Sequence, residues 1–197
     1  MRVCVFGASN SSIPTVYMDF AESLGHRLAK ERIGLVFGAG RTGLMGAAAR
    51  GAYGAGGEII GVIPKKLNVP GIYFENCTER IETSTMHERK SLMEELSSGF
   101  IALSGGFGTI EELMEVITLK QLGYHDFPIV IVNINGFYNN LLEQFRLCVD
   151  EGFTNPNYLG LYTVAETVDE VIEQIMCYRH SAMPNKISEA MKSDSLE

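Results

Sequence analysis

Short apolar runs at residues 2–6, 33–37, 58–63, 100–103, 128–133 and, more weakly, 161–164 recur with segments of helical periodicity between them. Runs of that length with little polar interruption suit strands covered on both faces. Their alternation with helices prescribes an α/β fold, a single doubly wound and mainly parallel sheet flanked by helices. The helices are expected near 43–55, 87–98, 110–122, 138–151 and 167–178, with a first one beginning close to Pro14. Pro14 suits the first helical position, with Ser11 or Ser12 as the cap. Tyr17, Ala21, Leu24 and Leu28 then share one apolar face. The second helix is dense in Gly and Ala, so it is expected to pack very closely against the sheet.

Chemistry concentrates in Phe100-Ile-Ala-Leu-Ser-Gly-Gly-Phe-Gly-Thr-Ile-Glu-Glu112, a glycine-rich turn between a buried run and an acidic helix. A parallel-sheet strand ends there and a helix begins, with Glu111 onward read as its first turns. Free backbone N–H groups and the positive end of the helix dipole collect anions at such a place. Gly105, Gly106 and Gly108 let the backbone approach a phosphate with no Cβ in the way. Glu112 adds a carboxylate to the same neighbourhood.

A second constellation, Met86-His-Glu-Arg-Lys90, precedes the strand at Phe100. Arg89 and Lys90 near a helix start oppose the dipole, which makes sense if an anion is held nearby. Arg grips a carboxylate or phosphate with parallel N–H bonds, whereas Lys acts as a point charge. One helix, one strand and one turn separate Arg89 from Glu112. In a parallel sheet that path returns both to the carboxyl edge, where ligands sit.

Met-His-x-Arg-Lys followed by Gly-Gly-x-Gly-Thr-x-x-Glu resembles the LOG family of cytokinin riboside 5′-monophosphate phosphoribohydrolases, also called the lysine decarboxylase family. The likeness spans roughly residues 1 to 178 and includes Gly38-Ala-Gly-Arg-Thr-Gly-Leu-Met-Gly46 and Val116-Ile-Thr-Leu-Lys-Gln-Leu-Gly-Tyr-His-Asp126. Three stretches depart from it. Ser104 stands where most members have Pro, Ala39 replaces the middle glycine of a triplet, and Leu67 to Thr85 fits poorly. The resemblance implies a Rossmann-like sheet and hydrolysis of the N-glycosidic bond of adenine-type nucleoside 5′-monophosphates. It implies Arg89 and Glu112 as the catalytic pair. It also implies a substrate-facing set of Gly7, Ala8, Ser9, Gly38, Gly40, Gly43, Met86, Arg89, Lys90, Gly105, Gly106, Phe107, Gly108, Thr109, Glu112 and Thr118. No cofactor or metal is required, and a homodimer with sites near its interface is expected. Two other readings stay open. One is a non-catalytic nucleotide or molybdenum-cofactor binding protein. The other is a decarboxylase, which would need a lysine bonded to pyridoxal phosphate.

Other functions fit the residues less well. Gly38 and Gly40 open a dinucleotide fingerprint, but Gly43 and Gly46 do not complete its spacing and no suitably placed acid follows. No Gly-Lys-Ser/Thr triplet provides a P-loop. A formal net charge of −8 disfavours nucleic acid as partner, though not a mononucleotide. His87 lacks neighbours at metal-ligand spacing, and His26, His125 and His180 are expected to face solvent. Cys4, Cys77, Cys148 and Cys177 form no C-x-x-C pair and read as reduced, mostly buried thiols. No membrane span or leader is evident, so a cytoplasmic protein is expected. The domain is drawn over 1–180, with a polar, mobile tail over 181–197.

Overall fold

A computed structural model describes residues 1–179. The expected tail and His180 lie outside the described residues. The chain runs β1 (Arg2–Phe6), α1 (Thr15–Lys30), β2 (Gly34–Phe37), α2 (Gly43–Gly54), β3 (Ile59–Pro64), β4 (Glu79–Thr83), α3 (Met86–Glu95), β5 (Phe100–Ala102), α4 (Phe107–Leu122), β6 (Ile129–Val132), α5 (Asn139–Asp150), β7 (Thr163–Ala165) and α6 (Val168–Met176). The strands form one sheet in the order β4-β3-β2-β1-β5-β6-β7, and each pairing is parallel.

Alternation along each strand splits the core into two layers. Val3, Val5, Leu35, Ile101 and Val130 face α1, α2 and α6, meeting Leu24, Leu28, Ala48 and Ile172. Cys4, Phe6, Val36, Ile60 and Ile131 face the other way, towards Met93 of α3, Leu113 and Val116 of α4, and Leu142 of α5. The order reverses beside β1, where β2 lies on one side and β5 on the other. The loops after β1 and β5 meet across that switch point, Ala8 N–H donating to Ser104 O at 3.1 Å. Ligands of doubly wound sheets bind in this crevice.

Several elements differ from the sequence reading. β4 was not anticipated, because an edge strand needs only one partner, and Glu79, Arg80 and Glu82 are left exposed. Pro14 lies outside α1 as its extended N-cap, with no side-chain cap. Ser11 Oγ instead accepts from Gly43 N–H at 3.2 Å, and Ser12 N–H donates to Asn10 Oδ1 at 2.8 Å. The small residues of α2 allow a close approach to α1: a Cβ on Gly51 would lie 1.9 Å from Glu22 O.

His125 does not face solvent. Its ring is half-buried and stacks on Phe127 with 5.5 Å between centroids. Its Nδ1 accepts from Phe127 N–H at 3.2 Å, so Nε2 carries the proton and donates to Val116 O at 3.0 Å. Burial pushes its pKa down, consistent with a neutral ring. All four cysteines are free, but only Cys4 is fully buried and Cys177 is exposed. Among the described residues no helix is long and apolar enough to cross a membrane.

Candidate active site

α4 begins at Phe107 with Gly106 as its N-cap, so Glu111 and Glu112 belong to its second turn rather than its first. No side chain caps this terminus. The first intrahelical bond, Ile110 N–H to Gly106 O at 3.0 Å, leaves the N–H groups of Phe107, Gly108 and Thr109 directed outward. The three glycines divide their work. A Cβ on Gly105 would fall 2.1 Å from Thr109 Oγ1, so this glycine lets the buried Thr109 pack under the turn. Gly106 and Gly108 have open space where a Cβ would stand, so an anion could reach the bare backbone there. Phe107, between them, is 94% exposed.

A cleft of about 540 Å³ adjoins this terminus, lined by Ala8, Asn10, Ile13, Pro14, Tyr17, Ser104, Gly105, Gly106 and Phe137. Ile13, Tyr17 and Phe137 were not anticipated here. The available signal was the Asn133-Ile-Asn-Gly136 turn, which follows β6 at the same carboxyl edge. Asn135 and Gly136 take positive φ (52° and 69°), reversing the chain sharply before Phe137. Tyr138 N–H donates to Asn133 Oδ1 at 2.7 Å, and Tyr138 OH donates to Leu103 O at 2.7 Å. Phe137 is thus held half-exposed by a buried neighbour. The Ser104 hydroxyl is buried without a hydrogen-bond partner among the described residues.

Arg89 lies on α3, under the carboxyl ends of β2 and β3. Its Nε donates to Val62 O at 3.3 Å, and its Nη1 is 3.6 Å from Glu112 Oε1, a charge pair rather than a hydrogen bond. Both side chains are nearly buried, 9% and 12% exposed. Gly38 makes room for the guanidinium, since a Cβ there would lie 1.7 Å from Nη2. Burial pushes the Glu112 carboxyl up to about 7, with Arg89 opposing the rise and Glu111 adding to it. A carboxyl poised near neutrality beside a fixed cation suits proton transfer and stabilisation of developing positive charge.

The remaining expected residues fall in several places. The Gly7–Ser9 loop is tied to the start of α2: Leu44 N–H donates to Ala8 O at 2.8 Å and Thr42 Oγ1 to Ser9 O at 2.8 Å. Gly40 follows β2 beside Arg41, and Gly43 is buried at the start of α2. Ala39 adopts φ 58°, the left-handed conformation that glycine would take at lower cost, by about 1–2 kcal/mol. Met86 opens α3 half-exposed, and His87 beside it is exposed. Lys90 is already engaged by Glu111 and, at 2.6 Å, by Glu115 Oε2. Thr118 is not part of the cradle. It is exposed, donates to Met114 O at 2.7 Å, and borders an apolar groove with Ile117, Phe145 and Tyr162.

Residues 45–175 match a family profile described as possible lysine decarboxylase. A cytokinin riboside 5′-monophosphate phosphoribohydrolase of Arabidopsis thaliana is 41% identical over 178 residues, 90% of this chain and 78% of that protein. A probable enzyme of the same name from Oryza sativa subsp. japonica is 41% identical over 196 residues, 98% of this chain and 80% of that one. Among solved structures, the molybdenum cofactor binding protein of Rippkaea orientalis superposes with a TM-score of 0.70 at 22% identity, covering 89% of this chain and 95% of its own. The molybdenum cofactor carrier protein of Chlamydomonas reinhardtii gives a TM-score of 0.69 at 23% identity, covering 90% and 98%. At that identity the likeness is one of fold.

Proposed function

The chain belongs to the LOG family, whose profile carries the description possible lysine decarboxylase, and from that premise we propose that it hydrolyses the N-glycosidic bond of adenine-type nucleoside 5′-monophosphates. The products are the free base, N6-substituted in the preferred case, and ribose 5-phosphate. The observation that carries this reading is the nearly buried Arg89–Glu112 pair, one helical turn from an uncapped N-terminus.

The outward N–H groups of Phe107, Gly108 and Thr109 grip the 5′-phosphate, supplying binding energy remote from the bond that breaks. As the C1′–N bond breaks, its electron pair leaves with the base and positive charge develops on the ribose ring. The Glu112 carboxylate opposes that charge and takes a proton from the water that adds at C1′, while the departing base nitrogen takes one from solvent and Glu112 later returns its own to solvent. Arg89 holds the carboxylate in place. The protein acts in the cytoplasm as a homodimer. Thr118 lies nine residues beyond Thr109, about 13 Å along α4, so it reaches a substrate only across such an interface.

Incubation with a panel of plain and N6-substituted nucleotides, followed by identification of the released base, tests this function. Release from none of them would favour a non-catalytic nucleotide binder. The 5′-phosphate is expected to raise kcat/KM over the matching nucleoside by about 10²-fold or more; equal values would sink the cradle assignment. Ser104→Pro should leave kcat/KM within about tenfold, because the grip comes from backbone donors and the hydroxyl has no partner to lose. Abolished turnover would show that the hydroxyl takes a direct part.

A further inference from the structure

α3 and α4 face each other through two adjacent charge contacts. Arg89 meets Glu112, and Lys90, the next residue on α3, bridges Glu111 and Glu115 on α4. Glu111 and Glu115 are one turn apart on α4, with Glu112 between them. The Lys90 side chain is only 14% exposed, and it lies 2.6 Å from Glu115 Oε2 while also contacting Glu111. To reach a substrate anion it would have to break two ion pairs, one to the exposed Glu111 and one to the partly buried Glu115. That makes a phosphate ligand a poor assignment for it.

We propose that Lys90 is a positioning residue: it clamps α3 to α4 through Glu111 and Glu115, and so sets the spacing and charge balance of the Arg89–Glu112 pair. This rests on the reading of Glu112 as the catalytic carboxylate. The charged and titratable groups around Glu112 are Arg89 and Lys90 on α3 and Glu111 and Glu115 on α4, with the Cys4 thiol below them on β1. Glu94 of α3 adds a fourth carboxyl to the cluster, beside Glu115. Arg89 and Lys90 are the cations facing this group. Without Lys90, Glu111 and Glu115 would act on Glu112 uncompensated and raise its pKa further. Burial by itself disfavours the Lys90 ammonium, but its two carboxylate partners outweigh that and hold its pKa above the ordinary value.

Lys90→Met keeps the apolar stem and removes the charge. Its kcat–pH profile should show the acid limb moved up by about one pH unit, with KM for the nucleotide within about twofold of wild type. Lys90→Arg should restore the limb, since a guanidinium can span both carboxylates. Glu111→Gln with Glu115→Gln should move the limb downward in the presence of Lys90, and should reverse the shift when added to Lys90→Met. That double variant also provides the test if Lys90→Met does not fold. Carbon-13 NMR titration of the Glu112 carboxyl, assigned by its loss in Glu112→Gln, should follow the same shifts without any turnover. Wild-type protein that releases no base would therefore overturn the proposed function while the NMR series still judges the clamp. An unmoved Glu112 titration in Lys90→Met would overturn the clamp. A tenfold or larger rise in KM with an unchanged limb would do the same and place Lys90 on the substrate.

Discussion

Glu112→Gln is expected to lower kcat for base release by roughly 10²–10⁴-fold, the usual range for a positioned acid–base group. The substitution keeps the size and most of the hydrogen-bonding capacity of a side chain that is 12% exposed and 3.6 Å from Arg89. What it removes is the negative charge that opposes the ribosyl cation and the site that accepts the proton from water. Nucleotide affinity should stay level or tighten, because a carboxylate near a phosphate is lost. In the wild type, burial holds the Glu112 carboxyl at about 7, so the ionised, active form accumulates as pH rises through that value. kcat should climb to a plateau above pH 7, and the variant should lack this limb. Arg89→Ala should also lower kcat, and it should move the limb upward by withdrawing the cation that favours ionisation. The double variant should lose less than the sum of the two single losses, since the pair works as a unit. Near-normal turnover in Glu112→Gln would leave a binding protein as the better reading.

The second large effect is expected from Gly38→Ala, one methyl group placed 1.7 Å from Arg89 Nη2 and 2.8 Å from its Cζ. The obstructed atoms are the far end of a flexible side chain, so the backbone of β2 need not move and Tm should fall by only a few degrees. The guanidinium has little room to yield, however, being 9% exposed and held through Nε by Val62 O. Displacing it by an ångström or more opens the Arg89–Glu112 pair, and kcat should drop by about 10²-fold, the penalty typical of such misplacement. Full activity with normal stability would mean that the position of Arg89 is not critical to the chemistry.

Some of this could be read along the chain and some could not. The buried strands were legible because each is a run of Val, Ile, Leu and Phe that has no other soluble use. β4 escaped because Glu-Arg-Ile-Glu-Thr is written for an edge, with one strand neighbour and mostly exposed side chains. The start of α4 was placed too late, because Gly-Gly-Phe-Gly lacks helix propensity and the turn is held by Thr109 packing against Gly105. His125 looked exposed among Tyr124 and Asp126, yet the rings of Phe100 and Phe127 pack against its imidazole.

The amino-acid sequence by itself determined the layered α/β architecture, the helix terminus that can receive an anion, and the pairing of Arg89 with Glu112 as chemical candidates. Those depend on local periodicity, on backbone donors and on side-chain type, all of which are written along the chain. Only the tertiary structure decided what each polar group meets. It set Arg89 against Gly38 and Val62, turned Lys90 onto two carboxylates, carried Thr118 away from the cradle, and brought Phe137 to it. These contacts join residues distant in sequence, and their energies depend on burial and separation, which arise when α3 and α4 pack together on the sheet.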